Sequence, residues 1–92
     1  MARNPRKGSY AGRSPTRSRR GVETELKRLG RRIRQLRTEA GLTQETAAER
    51  ADLSAKHWGD IENARSNPTV STLVAVAKAL RVKVGELFMG KR

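Results

Sequence analysis

Between positions 22 and 40 the apolar residues Val22, Leu26, Leu29, Ile33, Leu36 and Ala40 recur at three- and four-residue intervals, with Lys27, Arg28, Arg31, Arg32 and Arg34 on the remaining sides. That is the single apolar stripe of an amphipathic helix, and Gly41 supplies a left-handed stop after it. Shorter units follow. Thr43 can cap a second helix, QETAAERA, and Ser54 a third, after a tight corner at Asp52 and Leu53. After NARSNP, Thr69 opens a fourth helix with Val70, Leu73, Val74, Ala77 and Leu80 on one face. Val82, Val84, Leu87 and Phe88 predict a last short helix, poorly capped at Lys83 and weakened by Gly85. No two-residue alternation competes. The expected fold is a compact all-α bundle of five helices, roughly 65 residues, near the lower size at which a core alone holds a fold.

The first twenty residues do not join this pattern. They carry Arg3, Arg6, Lys7, Arg13, Arg17, Arg19 and Arg20, no acid, and Tyr10 as the one bulky side chain. Such a segment cannot pack a core, so residues 1–21 are expected to be a disordered basic arm and residues 22–92 the folded domain. Of the formal net charge of +12, the arm accounts for +7 and leaves +5 for the rest. Both parts therefore favour an anionic partner: nucleic acid, an acidic protein or an anionic membrane surface. No run of eighteen apolar residues could span a bilayer. The basic N-terminus lacks the apolar stretch of a signal peptide and the amphipathic helix of a transit peptide. With no cysteine to staple a secreted chain, the reading is intracellular, in the cytoplasm with the nucleoid.

The corner between the second and third helices is the informative place. Two short helices joined tightly let the second project from the surface, and a helix fits the major groove of DNA. On that helix Trp58 and Ile61 are three apart and face inward, whereas Ala55, Lys56, Gly59, Asp60 and Asn63 share the outward face.

The segment GLTQETAAERADLSAKHWGDIENARSNPTVSTLVAVAKAL resembles the helix-turn-helix domain of the Cro and phage-repressor type, the XRE class. The likeness runs back through LGRRIRQLRTEAG and forward through VGELF. It implies a lambda-repressor-like fold and double-stranded DNA as partner. By this resemblance Ala55, Lys56, Gly59 and Asp60 match the positions that touch base edges. Thr43, Gln44, Asn63, Arg65 and Asn67 match phosphate-facing positions, and His57 sits at the rim against a phosphate or water. Arg37 and Glu62 match a partly buried ion pair tying helix one to the end of helix three. Leu87, Phe88 and Met89 match the usual dimer contact.

Three departures from the family pattern stand out. Asp52 holds the corner where Gly is frequent. Ala64 ends helix three where Gly is usual, so either Asn63 turns left-handed or Ala64 bears strain. Trp58 replaces a smaller residue while Ala47 replaces a larger one, an exchange that keeps core volume.

Arg13, Arg17, Arg19 and Arg20 of the arm are read as a nucleic-acid contact, in the minor groove or along phosphates, with a solubility device as the alternative, and most arginines of helix one are read as a solvated face. Catalysis finds no foothold: Glu45 and Glu49 pair on an exposed helix without a pocket, and no metal ligands are spaced around His57. No cofactor is expected. The expectation is a sequence-specific regulator, of repressor type, bound as a homodimer to a palindromic operator. The rival is a protein-interaction module of the bridging-coactivator or antitoxin kind, gripping a partner protein with the same domain and arm.

Overall fold

The computed structural model describes residues 15–89. Among them are four α-helices, α1 (Pro15–Glu39), α2 (Gln44–Arg50), α3 (Ala55–Glu62) and α4 (Val70–Leu80), then a 3-10 helix at Val84–Phe88, and no strand. The fifth element is thus not an α-helix. Five residues cannot repay the cost of nucleating one, and the tighter 3-10 turn is the usual form of so short a piece. The Glu86 carboxylate accepts from the Lys83 backbone N–H at 3.4 Å, which supplies a weak start.

The first helix begins at Pro15 rather than at Val22. Proline suits the first helical position because its φ is preset and its missing N–H would have had no partner there. Once nucleated, the helix needs no apolar stripe to continue: Arg17, Arg19 and Arg20 are good helix formers, and they offset the weaker Thr16, Ser18 and Gly21 between them. Arg17, Arg19 and Arg20 therefore belong to α1 and not to an arm ending at residue 21; Arg13 lies outside the described residues.

All four helices stop in the same way. A left-handed residue follows each, and two reversed hydrogen bonds close the last turn. After α1, Gly41 (φ 74°) is that residue, with Leu42 N–H donating to Arg37 O at 3.1 Å and Gly41 N–H to Thr38 O at 3.0 Å. Asp52, Ala64 and Arg81 hold φ near 60° after α2, α3 and α4. Asn63 stays right-handed at φ −97°, so the strain at the end of α3 falls on Ala64. Removing a Cβ from that position is expected to stabilise the fold by about 1 kcal/mol: Ala64→Gly should raise the thermal midpoint, and a lowered midpoint would contradict the assignment. At the other ends, Thr43, Ser54 and Thr69 accept from the backbone N–H of Thr46, His57 and Thr72, each satisfying one of the free donors of a helix start.

The core is small and continuous. Leu29 and Ile33 of α1, Ala47 and Ala48 of α2, Trp58 and Ile61 of α3, Leu73, Val76, Ala77 and Leu80 of α4, and Leu87 are buried together. Trp58 and Ala47 are both fully enclosed, in keeping with the large-for-small exchange. Val22, Ala40 and Val70 are exposed, however. The stripe of α1 outruns the body it packs on, and Val70 lies in the first turn of α4, ahead of the buried face that starts at Leu73.

Candidate nucleic-acid interface

The short helix α3 stands on a polar base. Glu62, at its C-terminal end, has a side chain with no solvent exposure, and five N–H groups converge on its carboxylate. Arg37 donates twice, Nε to Oε2 at 2.6 Å and Nη2 to Oε1 at 3.2 Å. Trp58 Nε1 donates to Oε2 at 2.6 Å, Gln44 Nε2 to Oε1 at 2.9 Å and Arg34 Nε to Oε1 at 3.3 Å. Arg37 also reaches Leu42 O through Nη1 at 2.9 Å. One buried acid therefore ties α1, α2 and α3 together. Burial would raise its pKa, but the hydrogen bonds from Arg37, Gln44 and Trp58 and the charge of Arg37 outweigh that, and the carboxyl is held below its ordinary value of 4.5.

The expected Arg37–Glu62 pair is present, within a larger group. The convergence of Trp58, Gln44 and Arg34 was missed by sequence reasoning. A local signal existed, since Trp58 and Glu62 are four apart on one helix and a buried indole N–H needs an acceptor. Arg34 also donates to Asn63 Oδ1 at 3.0 Å, and Arg32 Nε donates to Glu86 O at 3.0 Å, which ties the 3-10 helix to α1. Three arginines of α1 are thus structural partners and not merely a solvated face.

Gly30 was also missed. It is buried in α1, and a Cβ there would lie 2.8 Å from both Ile61 O and Glu62 C, with Glu62 O nearer still. The backbones of α1 and of the end of α3 meet at this point, at a distance only glycine permits. Its signal was an unexplained glycine inside an amphipathic helix.

With Trp58, Ile61 and Glu62 anchored inward, α3 turns the other side out. Lys56 is exposed; Ala55, Gly59 and Asp60 are half-buried beside it. Lys56 Nζ lies 3.0 Å from Asp60 Oδ2, one turn on. His57 is half-buried at the rim, its backbone N–H capped by Ser54 Oγ at 3.0 Å. Thr43 and Gln44 stand at the start of α2, while Asn63, Arg65 and Asn67 are exposed at the end of α3 and in the loop after it. These residues border α3 on two sides. Leu87 does not reach the surface: it is fully buried in the core, so of the three expected dimer residues only Phe88 (55% exposed) and Met89 (60%) are outside. Glu45 and Glu49 are exposed on α2. Among the described residues no group of three or more His, Asp or Glu side chains is placed to hold a metal, and no helix is long and apolar enough to cross a membrane.

A family model described as a helix-turn-helix domain matches residues 28–87. The chain belongs to the helix-turn-helix family, in its Cro and phage-repressor (XRE) class. Its helix-turn-helix domain is 48% identical over 59 residues to an immunity repressor protein of Bacillus phage phi105, a match covering 64% of this chain and 41% of that protein. It is 43% identical over 61 residues to an HTH-type transcriptional regulator of Sinorhizobium fredii, covering 66% of this chain and 79% of the other. Among solved structures, a restriction-modification controller protein from Aeromonas hydrophila superposes with a TM-score of 0.70 at 35% identity, over 71% of this chain and 98% of that one. The chain thus spans less than half the length of the phage repressor, but nearly all of the controller protein. The family match takes in α2, α3 and α4 of this helix-turn-helix domain, and the part of α1 before residue 28 lies outside it.

Proposed function

We propose that this protein is a sequence-specific DNA-binding transcriptional regulator, of repressor type, that lays α3 in the major groove. The observation that carries the reading is the two-sidedness of α3: one face is locked to α1 and α2 through Trp58, Ile61 and Glu62, and the other offers Ala55, Lys56, Gly59 and Asp60 to solvent. A reading helix has to be held rigidly on one side and left open on the other. The phage immunity repressor and the transcriptional regulator among its relatives support the same function.

Attraction to DNA comes from the net charge of +12, with the basic N-terminal residues and Arg65 along the phosphates. The exposed face of α3 supplies discrimination. One helix buries too little surface for tight specific binding, so two copies occupy half-sites about one helical turn (~34 Å) apart. Phe88 and Met89, beside Arg28 and Arg31 across a shallow groove at α1, form the contact between them. The patch is small enough that pairing depends on DNA.

Asp60 tests this reading. It holds the Lys56 ammonium at 3.0 Å, aims it at a guanine, and repels phosphates and wrongly placed acceptors. Asp60→Asn is expected to strengthen binding to random DNA and to narrow the gap between operator and non-operator by about 1 to 3 kcal/mol, the worth of one base contact. Competition mobility shifts measure both. An equal rise for both kinds of DNA would reduce Asp60 to a surface charge, and binding indifferent to sequence in the wild type would favour a protein-interaction module.

A further inference from the structure

Gly59 breaks the helix rule on the exposed side of α3, where alanine would favour the helix. Nothing in the fold requires the break. A Cβ at residue 59 would have two neighbours within 4 Å, Gln44 Nε2 and Gln44 Oε1, each at 3.8 Å, an ordinary contact. The carbon between those two atoms lies farther off, so Gln44 presents to the gap the edge of its carboxamide, where carbonyl oxygen and N–H stand side by side. Its orientation is set by Glu62. Nε2 donates to Glu62 Oε1 at 2.9 Å, and a buried ionised carboxylate only accepts, so turning the amide over would set oxygen against oxygen.

One N–H of Gln44 is thus committed, while the carbonyl and the other N–H remain for a ligand. A phosphate offers acceptors alone and suits this edge poorly, because the carbonyl would face its oxygens. An adenine in the major groove offers what fits: the N6 amino group as donor and N7 as acceptor. We infer that Gln44 is a base-reading residue for adenine that works through the gap left by Gly59, and not merely one of the phosphate-facing residues. The inference rests on α3 being the groove helix. It explains why a half-buried position on the outward face of the helix keeps a glycine: a methyl group there would cover the edge that reads.

The test uses the full chain and a DNA site selected with it from a random library, in which each adenine in turn is replaced by 7-deazaadenine, which lacks N7 but pairs normally. For the wild type, one adenine in each half-site should be sensitive, with affinity falling about tenfold. Gly59→Ala should bind the unmodified site about tenfold more weakly and lose that sensitivity, while its thermal midpoint does not fall. Gln44→Ala should lose the sensitivity as well, but it also removes a donor from Glu62, so Gly59→Ala is the variant that separates reading from stability. The inference is overturned if every adenine tolerates the replacement in the wild type, or if Gly59→Ala keeps full affinity and sensitivity. A wild type that selects no sequence at all overturns the proposed function along with it.

Discussion

Glu62→Ala is expected to remove about 3 to 5 kcal/mol of stability, the loss seen when one partner of a buried ion pair is deleted. The substitution leaves the guanidinium of Arg37, whose side chain is 13% exposed, without its counter-charge and strands the Trp58 N–H inside the core. A small domain has only about 5 to 15 kcal/mol in total, and each kcal/mol moves the midpoint of a domain this size by about 4 to 8 °C. A thermal melt should therefore show a drop of more than 10 °C, of the order those two figures give, or no folded baseline. Replacing Arg37 by Met in the same chain should recover only part of the loss, because Trp58 and Gln44 still lack their acceptor. The acid also sets a pH dependence. A carboxyl whose folded pKa is depressed adds stability above its unfolded value, and that stability is lost as pH falls through the folded one. The wild-type midpoint should hold near neutrality and fall below about pH 4, with Glu62→Gln showing a weaker fall over the same range. A melt in which Glu62→Ala matches the wild type would mean that the five hydrogen bonds contribute nothing net.

Gly30→Ala carries the second large effect. Its Cβ would press on the backbone of Ile61 and Glu62, and backbone cannot swing aside as the tip of a side chain can. The two helices would have to separate at the point where Glu62 is held. Overpacking of this kind costs about 1 to 3 kcal/mol and occasionally more, against a gain of about 1 kcal/mol in helix propensity. Strain on the Glu62 group places the outcome at the upper end, a net loss of about 2 kcal/mol or more. Urea unfolding measures it, and a midpoint at or above that of the wild type would show that α1 and α3 have room to spare. The contrast with Gly59 is direct: the same substitution in α3 meets nothing closer than 3.8 Å.

The features legible in the sequence are those governed by neighbours along the chain. Thr43, Ser54 and Thr69 cap because a hydroxyl lies within reach of the next turn; Gly41 and Asp52 turn left-handed because few residues do so at low cost. Trp58 could be placed inside from its phase with Ile61. The exposed strip on α3 follows from the same phase, and its role in reading DNA from the resemblance. Less legible were features that depend on what comes together in space. Nothing local says that Arg34, Arg37 and Gln44 share the carboxylate that Trp58 reaches along its own helix, that Gly30 lies against the end of α3, or that Leu87 points into the core while Phe88 does not. The start of α1 escaped for another reason: periodicity detects a helix by a recurring apolar stripe, and the sequence PTRSRR at its start has no such pattern. Arg81 carries no sign of a left-handed position, since arginine takes that conformation only when the closing hydrogen bonds repay it.

The central claim is that α3 reads DNA sequence, and selection of bound sites from a random DNA library by the full chain at physiological salt tests it most directly. The account predicts a palindrome whose half-sites are centred about one helical turn, ~34 Å, apart, and whose preferred bases change when Lys56 or Asp60 is substituted. A library that emerges with no preferred sequence, or with the same one after both substitutions, would contradict it.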